Sequence, residues 1–263
     1  MKSVSITDQA VLALTSTSDT HWSFPPRNLI LGDEEVHVWR AALDVQATQV
    51  QSLRRTLTAD ERARAERFHF QKDRKHFIVA RGLLRTILGR YLDVASRQLR
   101  FSYSPYGKPS LASEFNGDAL CFNLSHANGL ALFAVTRGRQ LGIDIERVRA
   151  DLADEQVAEQ FFSLREVAEL RTFSGSVRSL AFFNCWTRKE AYIKARGEGL
   201  SLPLDQFDVS LAPGGPAILL STAGNPQEAF RWSLRELTPG AGYVAALVAE
   251  GNSWRLRCWQ WTR

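Results

Sequence analysis

The sequence predicts an α+β protein in which two similar lobes lie in one chain. Apolar runs with strand alternation and amphipathic stretches with helical spacing both occur along it, which indicates a mixture of strands and helices. The segment Gly129–Gly138 (GLALFAVTRG) can also be laid over Gly242–Gly251 (GYVAALVAEG) with both glycines in register. A duplication predicts a functional site between the two lobes, whereas a chance match leaves the lobes unrelated.

The predicted organisation divides the 263 residues into three parts. Residues 1–30 lack clear periodicity and contain Pro25-Pro26, which is typical of a mobile arm or a loosely attached wrap. Residues 31–139 form the predicted first lobe, and residues 140–263 form the predicted second lobe. The chain is 44% hydrophobic and 23% charged, the composition of an ordinary globular protein.

In the first lobe, residues 36–43 (VHVWRAAL) predict a strand. Thr58 and Glu61 have the spacing of a capping box and predict a helix start. A long helix is predicted over 76–92, because its apolar residues share one face. After a turn at 104–109, two apolar strands are predicted at 120–124 and 130–136.

In the second lobe, the alternating segment 142–146 (GIDIE) predicts the first strand. Helices are predicted near 163–171 and over 179–195. The remaining apolar runs predict strands at 207–211, 230–237 and 243–249, and the tryptophans at 254, 259 and 261 are interpreted as packing residues.

Composition restricts the function classes. The N-terminal apolar stretch is too short and polar for a signal peptide, and no run approaches the roughly 20 apolar residues that cross a bilayer. Three cysteines without C-x-x-C spacing predict packing residues in a reducing compartment, so a cytoplasmic protein without membrane association is expected. The net charge of +5 favours an anionic partner or simply solubility.

Two carboxylates stand two residues apart in the segment Gly142–Glu146. On a strand, Asp144 and Glu146 project from the same face while Ile143 packs behind them. Carboxylates held together favour a hard divalent cation such as Mg²⁺, which prefers oxygen ligands. The alternative is a strand end whose acids face solvent or pair with the arginines that follow.

A second polar group lies on the predicted helix 179–195. Glu190 and Lys194 are separated by four residues and therefore share a helix face. A surface ion pair is the simple interpretation. The flanking residues are largely aromatic or apolar, however, so a third metal ligand beside a phosphate-binding lysine is the competing hypothesis.

Two further polar segments precede these acids. Asn123-Leu124-Ser125-His126 directly follows an apolar strand, where ligand-binding groups often lie, although a lone histidine is more often structural. Lys108 lies in a turn and by itself indicates only an exposed loop.

Taken in order, these motifs resemble those of the surfactin-type 4'-phosphopantetheinyl transferases. That family has G-K-P, then N-x-S-H, G-I-D-x-E and W-x-x-K-E-A-x-x-K, followed by G-L-S-L-P-L. This sequence has each of them, beginning at Gly107, Asn123, Gly142, Trp186 and Gly199. The resemblance covers roughly residues 35–250, and the chain length matches the branch whose two fused lobes act as a pseudo-dimer.

The resemblance implies transfer of phosphopantetheine from coenzyme A to a serine of an apo acyl or peptidyl carrier protein, by a monomer. It implies Mg²⁺, with Mn²⁺ as an alternative, held by Asp144, Glu146 and Glu190. Lys194 would bind a phosphate oxygen, and either Glu190 or a metal-bound water would be the base. The other implied coenzyme A contacts are Arg81, Lys108, Pro109, Ser125, His126 and Lys189.

The sequence departs from the family pattern at Glu61 and Arg64, where lysines are expected, so the implied 3'-phosphate contacts of that region are open. A nucleic-acid-binding protein, a relative that binds coenzyme A without transferring it, and another Mg²⁺-dependent phosphoryl enzyme are the competing functions. Scattered tryptophans argue against the first, and the presence of all three acids argues against the second.

Overall fold

The computed structural model describes residues 20–149, 153 and 155–262. Residues 1–19, most of the predicted N-terminal arm, lie outside the described residues. The rest of the arm contacts the C-terminal part of the chain, because Ser23 bridges to Trp259 and the Trp22 indole donates a hydrogen bond to the Thr238 carbonyl. No helix within the described ranges combines the length and apolar character needed to cross a bilayer.

The first sheet has four strands in the order β11-β1-β5-β4. Its strands are β1 (Glu35–Ala42), β4 (Leu120–Ala127), β5 (Leu130–Arg137) and β11 (Arg255–Gln260). β1 pairs antiparallel with β5 and parallel with β11. The C-terminal strand therefore belongs to the sheet of the first lobe, although its residues lie within the predicted second lobe, 140–263.

The second sheet has three strands in the order β6-β10-β9. They are β6 (Leu141–Arg147), β9 (Trp232–Leu237) and β10 (Tyr243–Glu250). Each lobe adds a two-stranded ribbon, β2 (Phe101–Tyr103) with β3 (Pro109–Leu111), and β7 (Phe207–Val209) with β8 (Leu219–Thr222).

The two sheets repeat one arrangement. β1, β5 and β4 have the same order and antiparallel pairing as β6, β10 and β9. The glycines before the central strands, Gly129 and Gly242, have φ angles of +87° and +75°, which explains why glycine recurs at this turn. The predicted pair of similar α+β lobes is confirmed.

Six α-helices lie in the described residues, and the two longest have 22 residues each. They are α1 (Ala47–Arg54), α2 (Ala59–Glu66), α3 (Gln71–Leu92), α4 (Glu155–Phe161), α5 (Leu164–Leu170) and α6 (Gly175–Arg196). The predicted helices correspond to α2, α3, α5 and α6. The sequence did not predict α1 and α4, which are short, or the strands β2, β3 and β8, which have only three or four residues. It also did not predict the six-residue strand β11, where the tryptophans were interpreted only as packing residues.

A buried ion pair recurs at equivalent places in the two lobes. Glu61 in α2 and Glu166 in α5 both complete capping boxes, and both are nearly inaccessible to solvent. Glu61 pairs with Arg85 of α3 and Glu166 pairs with Lys189 of α6, and the nitrogen–oxygen distance is 2.7 Å in both pairs. Arg85 and Lys189 both stand fourteen residues after the first residue of their helix. The pair thus attaches the short helix to the long helix in both lobes.

Three groups of buried apolar residues fill the molecule. One lies in the first lobe, beneath α3, and one in the second lobe, around α6. The third joins the sheets, with Val38 and Leu132 of the first against Ile143, Ile145 and Leu247 of the second. This shared core holds β4 beside β6, which positions the functional side chains of the two strands.

Candidate active site

Strand β6 presents its two acids on one side. Ile143 and Ile145 are buried in the core between the sheets, so the alternation of a strand directs Asp144 and Glu146 to the opposite face. Asp144 retains 3% of its surface, whereas Glu146 is partly exposed. The predicted strand and the shared face of the acids agree with the structure.

Helix α6 crosses this face and contributes Lys194. Its ammonium donates to Asp144 Oδ1 at 2.6 Å. The helix can approach so closely because residue 142 is glycine: a Cβ there would lie 2.1 Å from the Ala191 carbonyl oxygen and 2.3 Å from the Ala195 nitrogen. Gly142 therefore fixes the distance between the strand that carries the acids and the helix that carries the lysine.

Strand β4 of the first lobe supplies a hydroxyl to the same group. Ser125 Oγ donates to Asp144 Oδ1 at 2.8 Å and accepts from Lys194 Nζ at 3.1 Å. Two residues earlier, the buried Asn123 accepts a hydrogen bond at 2.9 Å from the backbone nitrogen of Ile143. Asn123 thus attaches β4 to β6, a positioning role that the sequence analysis did not assign to it.

The pKa values of two carboxyl groups in this cluster are raised, which indicates that nearby positive charge does not fully compensate their negative charge. Burial raises the pKa of Glu146 to about 7, and the charge of Asp144 adds to the effect. The pKa of Glu190 is also raised, by burial first and by Asp144 second. Asp144 Oδ2 is buried and has no hydrogen-bond partner among the described residues. An orphaned carboxylate oxygen beside two further acids suits a hard cation with oxygen ligands.

The described residues include no group of three His, Cys, Asp or Glu side chains already arranged to hold a metal ion. The coordination of a cation by Asp144, Glu146 and Glu190 is therefore not a geometry that the structure displays. The fit rests on the chemistry of the donors, all of which are carboxylates, and on the unpartnered oxygen of Asp144.

A cavity of about 450 Å³ adjoins the cluster. Glu190 and Lys194 line one wall, and Lys108 with Pro109 from the β2–β3 turn lines another. Residues of both lobes thus border one cavity. Gly107 of the turn lines the cavity as well, together with Gly197 and Gly199, which lie close to Lys108 and Tyr106 of the turn.

Lys108 reaches from the first lobe into the second. Its ammonium donates to the carbonyl oxygens of Leu141, at 3.2 Å, and Ala195, at 3.0 Å. Burial lowers the Lys108 pKa from its ordinary value to about 8. Gly197 leaves room for the stem of this lysine, because a Cβ there would lie 3.0 Å from Lys108 Cδ.

His126 is the residue after Ser125 on β4. Its pKa is lowered by burial and then by the charges of His76 and Lys194, which places it near both. His76 Nε2 is itself 2.8 Å from Asp44 Oδ1. The structure therefore brings Ser125 together with the acids, whereas His126 is exposed and stays a predicted coenzyme A contact.

Two predicted coenzyme A contacts do not lie in this group. Lys189 is fully buried, and its ammonium is held by Glu166 and by the carbonyl oxygens of Leu204 and Phe207. The motif suggested that it lies with Glu190 and Lys194. A helix turns by about 100° per residue, however, so the neighbour of Glu190 faces the core instead.

Arg81 is the second predicted contact that lies outside this group. Its guanidinium donates to Glu61 at 2.5 Å and to the Tyr103 hydroxyl at 2.7 Å, and it lies over the Phe101 ring. Arg81 therefore stabilises the first lobe behind the β2–β3 ribbon. The departure at Glu61 explains this contact, because a glutamate at that position attracts the nearby arginines.

Comparisons with known proteins agree on one family. The model of the 4'-phosphopantetheinyl transferase superfamily matches residues 140–248, and the model of the N-terminal region of 4'-phosphopantetheinyl transferases matches residues 42–137. The two matched regions follow the two lobes.

Three relatives from this family align with more than half of the chain. The 4'-phosphopantetheinyl transferase HetI of Nostoc sp. is 43% identical over 240 residues, which cover 91% of this chain and 98% of HetI. The transferase psf-1 of Bacillus pumilus is 33% identical and covers 65% of this chain and 71% of its own length. Sfp of Bacillus subtilis is 30% identical over 60% of this chain and 68% of Sfp. The chain therefore belongs to the surfactin-type 4'-phosphopantetheinyl transferase family.

Proposed function

We propose that this protein transfers 4'-phosphopantetheine from coenzyme A to a serine of an apo acyl or peptidyl carrier protein and releases adenosine 3',5'-bisphosphate. The observation that carries the proposal is the Asp144–Ser125–Lys194 cluster, built from both lobes and open to a cavity, in a chain of this family. The serine hydroxyl attacks the β-phosphate, and the bond from that phosphorus to the bridging oxygen breaks.

We propose that Asp144, Glu146 and Glu190 hold Mg²⁺, for which Mn²⁺ can substitute, against the diphosphate of coenzyme A. The unpartnered Asp144 oxygen and the raised pKa values of Glu146 and Glu190 support a cation here. When bound, the cation neutralises charge that develops on the phosphate oxygens.

The protein's own groups would bind and orient coenzyme A. Lys194 can reach a phosphate oxygen from the cavity wall, and Lys108 and Pro109 border the same space. Ser125 and His126 complete the set on β4. A lysine ammonium near a phosphate oxygen stabilises charge that increases in the transition state, so Lys194 contributes to turnover as well as to binding.

Glu190 is our candidate for the group that accepts the proton of the carrier serine. Its raised pKa means that this carboxylate holds a proton more firmly than an ordinary glutamate does. A base with a pKa closer to neutrality is better matched to proton abstraction from an alcohol. Glu190 also lines the cavity, so a substrate hydroxyl can approach it.

We further propose that the protein acts in the cytoplasm as a monomer, without nucleic acid or membrane as a partner. Its three cysteines are all free thiols, which supports a reducing compartment. Both walls of the cavity come from one chain, which supports a site complete in the monomer.

Intact-protein mass spectrometry tests the transfer. An apo carrier protein incubated with this protein, coenzyme A and Mg²⁺ should gain the mass of one phosphopantetheine group. The gain should be absent with EDTA or with the Asp144→Ala variant. Coenzyme A binding without any gain across several carriers would favour a non-catalytic binding protein, and a gain that persists in EDTA would contradict the metal assignment.

A further inference from the structure

Lys194 stands as a counter-ion among acids. Its ammonium is 2.6 Å from Asp144 Oδ1 and 3.1 Å from the Ser125 hydroxyl, which itself donates to the same Oδ1. The lysine side chain keeps 29% of its surface exposed, whereas that of Asp144 keeps 5%. The cation is therefore the part of this ion pair that can move toward the cavity.

We propose that Lys194 is an internal cation that competes with the divalent metal for Asp144, so that metal binding displaces its ammonium into the cavity and Lys194 sets the metal affinity. The inference rests on the proposed function, because it takes Asp144 as a metal ligand. An ammonium and a divalent cation that share one carboxylate repel each other strongly at separations of a few ångströms.

The charges around the cluster favour such an exchange. Asp144, Glu146 and Glu190 supply three carboxylates, and Lys194 is the cation hydrogen-bonded to Asp144. Arg147, next to Glu146 in sequence, lies over the Tyr243 ring. The cavity that Lys194 already lines offers a place for the displaced ammonium, where it would meet the phosphates of coenzyme A.

In the first lobe, the cation at the equivalent helix position packs on an aromatic ring and not against a carboxylate. Arg90 and Lys194 both stand nineteen residues after the first residue of their 22-residue helix. The strand residue that corresponds to Asp144 is Trp39. Trp39 pairs with Phe133 and Asp144 pairs with Ala246, and both partners are the fourth residue after the glycine that precedes the central strand. Arg90 lies over the Trp39 ring, 5.4 Å from its centroid.

The equivalent contact in the first lobe therefore joins helix and strand through an aromatic ring. The second lobe has a carboxylate there instead, which a metal can take over from the lysine. An ion pair that only attached α6 to β6 would not require a partly exposed lysine beside an unpartnered oxygen.

Binding of Mn²⁺ alone, followed by the electron paramagnetic resonance signal of the free ion, tests the inference on the full chain without coenzyme A. Lys194→Met and Lys194→Gln remove the competing charge and should bind Mn²⁺ about tenfold more tightly than the wild type, or more. Lys194→Arg keeps the charge and should stay close to the wild type. Thermal melts show whether each variant is folded, and the two uncharged variants serve as checks on each other.

The outcomes separate the two proposals. Unchanged or weaker Mn²⁺ binding by both uncharged variants, with binding still lost in Asp144→Asn, would overturn the competition but leave the metal assignment intact. Wild-type protein that binds no Mn²⁺, with uncharged variants that also bind none, would overturn both. Tighter binding in the uncharged variants alone, combined with its loss in Asp144→Asn, would establish the competition.

Discussion

At the scale of single residues, the site consists of a buried acid with one oxygen satisfied and one free. Asp144 Oδ1 accepts two hydrogen bonds, and Oδ2 has no partner among the described residues. Leaving a buried carboxylate oxygen unpaired is costly in free energy, so it is retained at places where a ligand completes it.

We expect Asp144→Ala and Glu190→Ala each to lower the transfer rate by at least about 10³-fold, because each removes charge that acts on the reacting phosphate. The fold should persist, since Glu190 is partly exposed and loss of Asp144 relieves crowding among acids. Transfer is measured by mass spectrometry of the carrier, and folding by circular dichroism. Near-normal turnover of either folded variant would refute its assigned role.

Lys108 predicts a pH dependence for coenzyme A binding. Burial lowers its pKa to about 8, so the ammonium is present below that pH and is lost as the pH rises through it. Only the charged form attracts phosphate, so affinity should fall about tenfold between pH 7 and pH 9. Calorimetric titration of the wild type and Lys108→Arg at both pH values checks this.

The arginine variant is the control for Lys108, because a guanidinium stays charged over the whole range. Its affinity should change only as far as coenzyme A itself titrates. An equal loss of affinity in the wild type and Lys108→Arg would show that Lys108 does not cause the dependence.

Sequence spacing predicted these residues unequally well. Asp144, Glu146, Glu190 and Lys194 could be found because each pair lies within one element, where periodicity determines the shared face. The contacts that hold Lys189 and Arg81 away from the acids could not be predicted from the sequence. Their binding partners come from other helices and loops, and no local pattern links positions so far apart in the chain.

At the scale of elements, the approach of α6 to β6 decides whether acids and lysine meet. Gly142→Ala would insert a Cβ 2.1 Å from a backbone oxygen of the helix, and backbone atoms cannot yield as a flexible side chain can. Overpacking of this kind costs about 1–3 kcal/mol of stability. Displacement of catalytic groups by about 1 Å can also reduce turnover about 10²-fold.

Gly82→Ala is the matched control. A Cβ there would lie 2.7 Å from Leu53 Cβ, between α1 and α3 and away from the acids. Both variants should melt at lower temperature, but only Gly142→Ala should lose most of its transfer activity per folded molecule. Equal losses of activity in the two variants would contradict a positioning role for Gly142.

The recurring buried ion pairs give a second element-scale prediction. Lys189→Met leaves Glu166 buried without its cation and should lower stability by about 3–5 kcal/mol. Arg85→Met at the equivalent pair should cost less, because Arg81 still pairs with Glu61. Because Lys189 contacts Glu166 and two carbonyl groups, coenzyme A affinity of the folded variant should match the wild type. Denaturant unfolding and calorimetry measure the two quantities. Weaker coenzyme A binding in Lys189→Met but not in Arg85→Met would return Lys189 to the site.

At the scale of the whole molecule, two lobes of one chain form a cavity between them. The repeated glycines predicted the lobes because both central strands begin after a glycine with positive φ. The boundary near residue 140 remains a prediction. The chain passes from the first sheet to the second after β5 and returns to the first sheet at β11. The last strand, β11, returns to pair with β1, which no local pattern indicates because parallel pairing depends on contacts far apart in sequence.

The net charge of +5 gives the last prediction, which concerns the protein partner. Carrier proteins of acidic character would dock through exposed charges, which salt screens over about 10 Å at 0.1 M. The coenzyme A phosphates would bind in the partly enclosed cavity beside Lys108 and Lys194, where screening is weaker. Raising the salt from 50 to 300 mM should therefore weaken carrier binding more than coenzyme A binding. Titration calorimetry measures both dissociation constants, with a non-hydrolysable coenzyme A analogue when both ligands are present. An equal salt dependence of the two dissociation constants would contradict docking by charge.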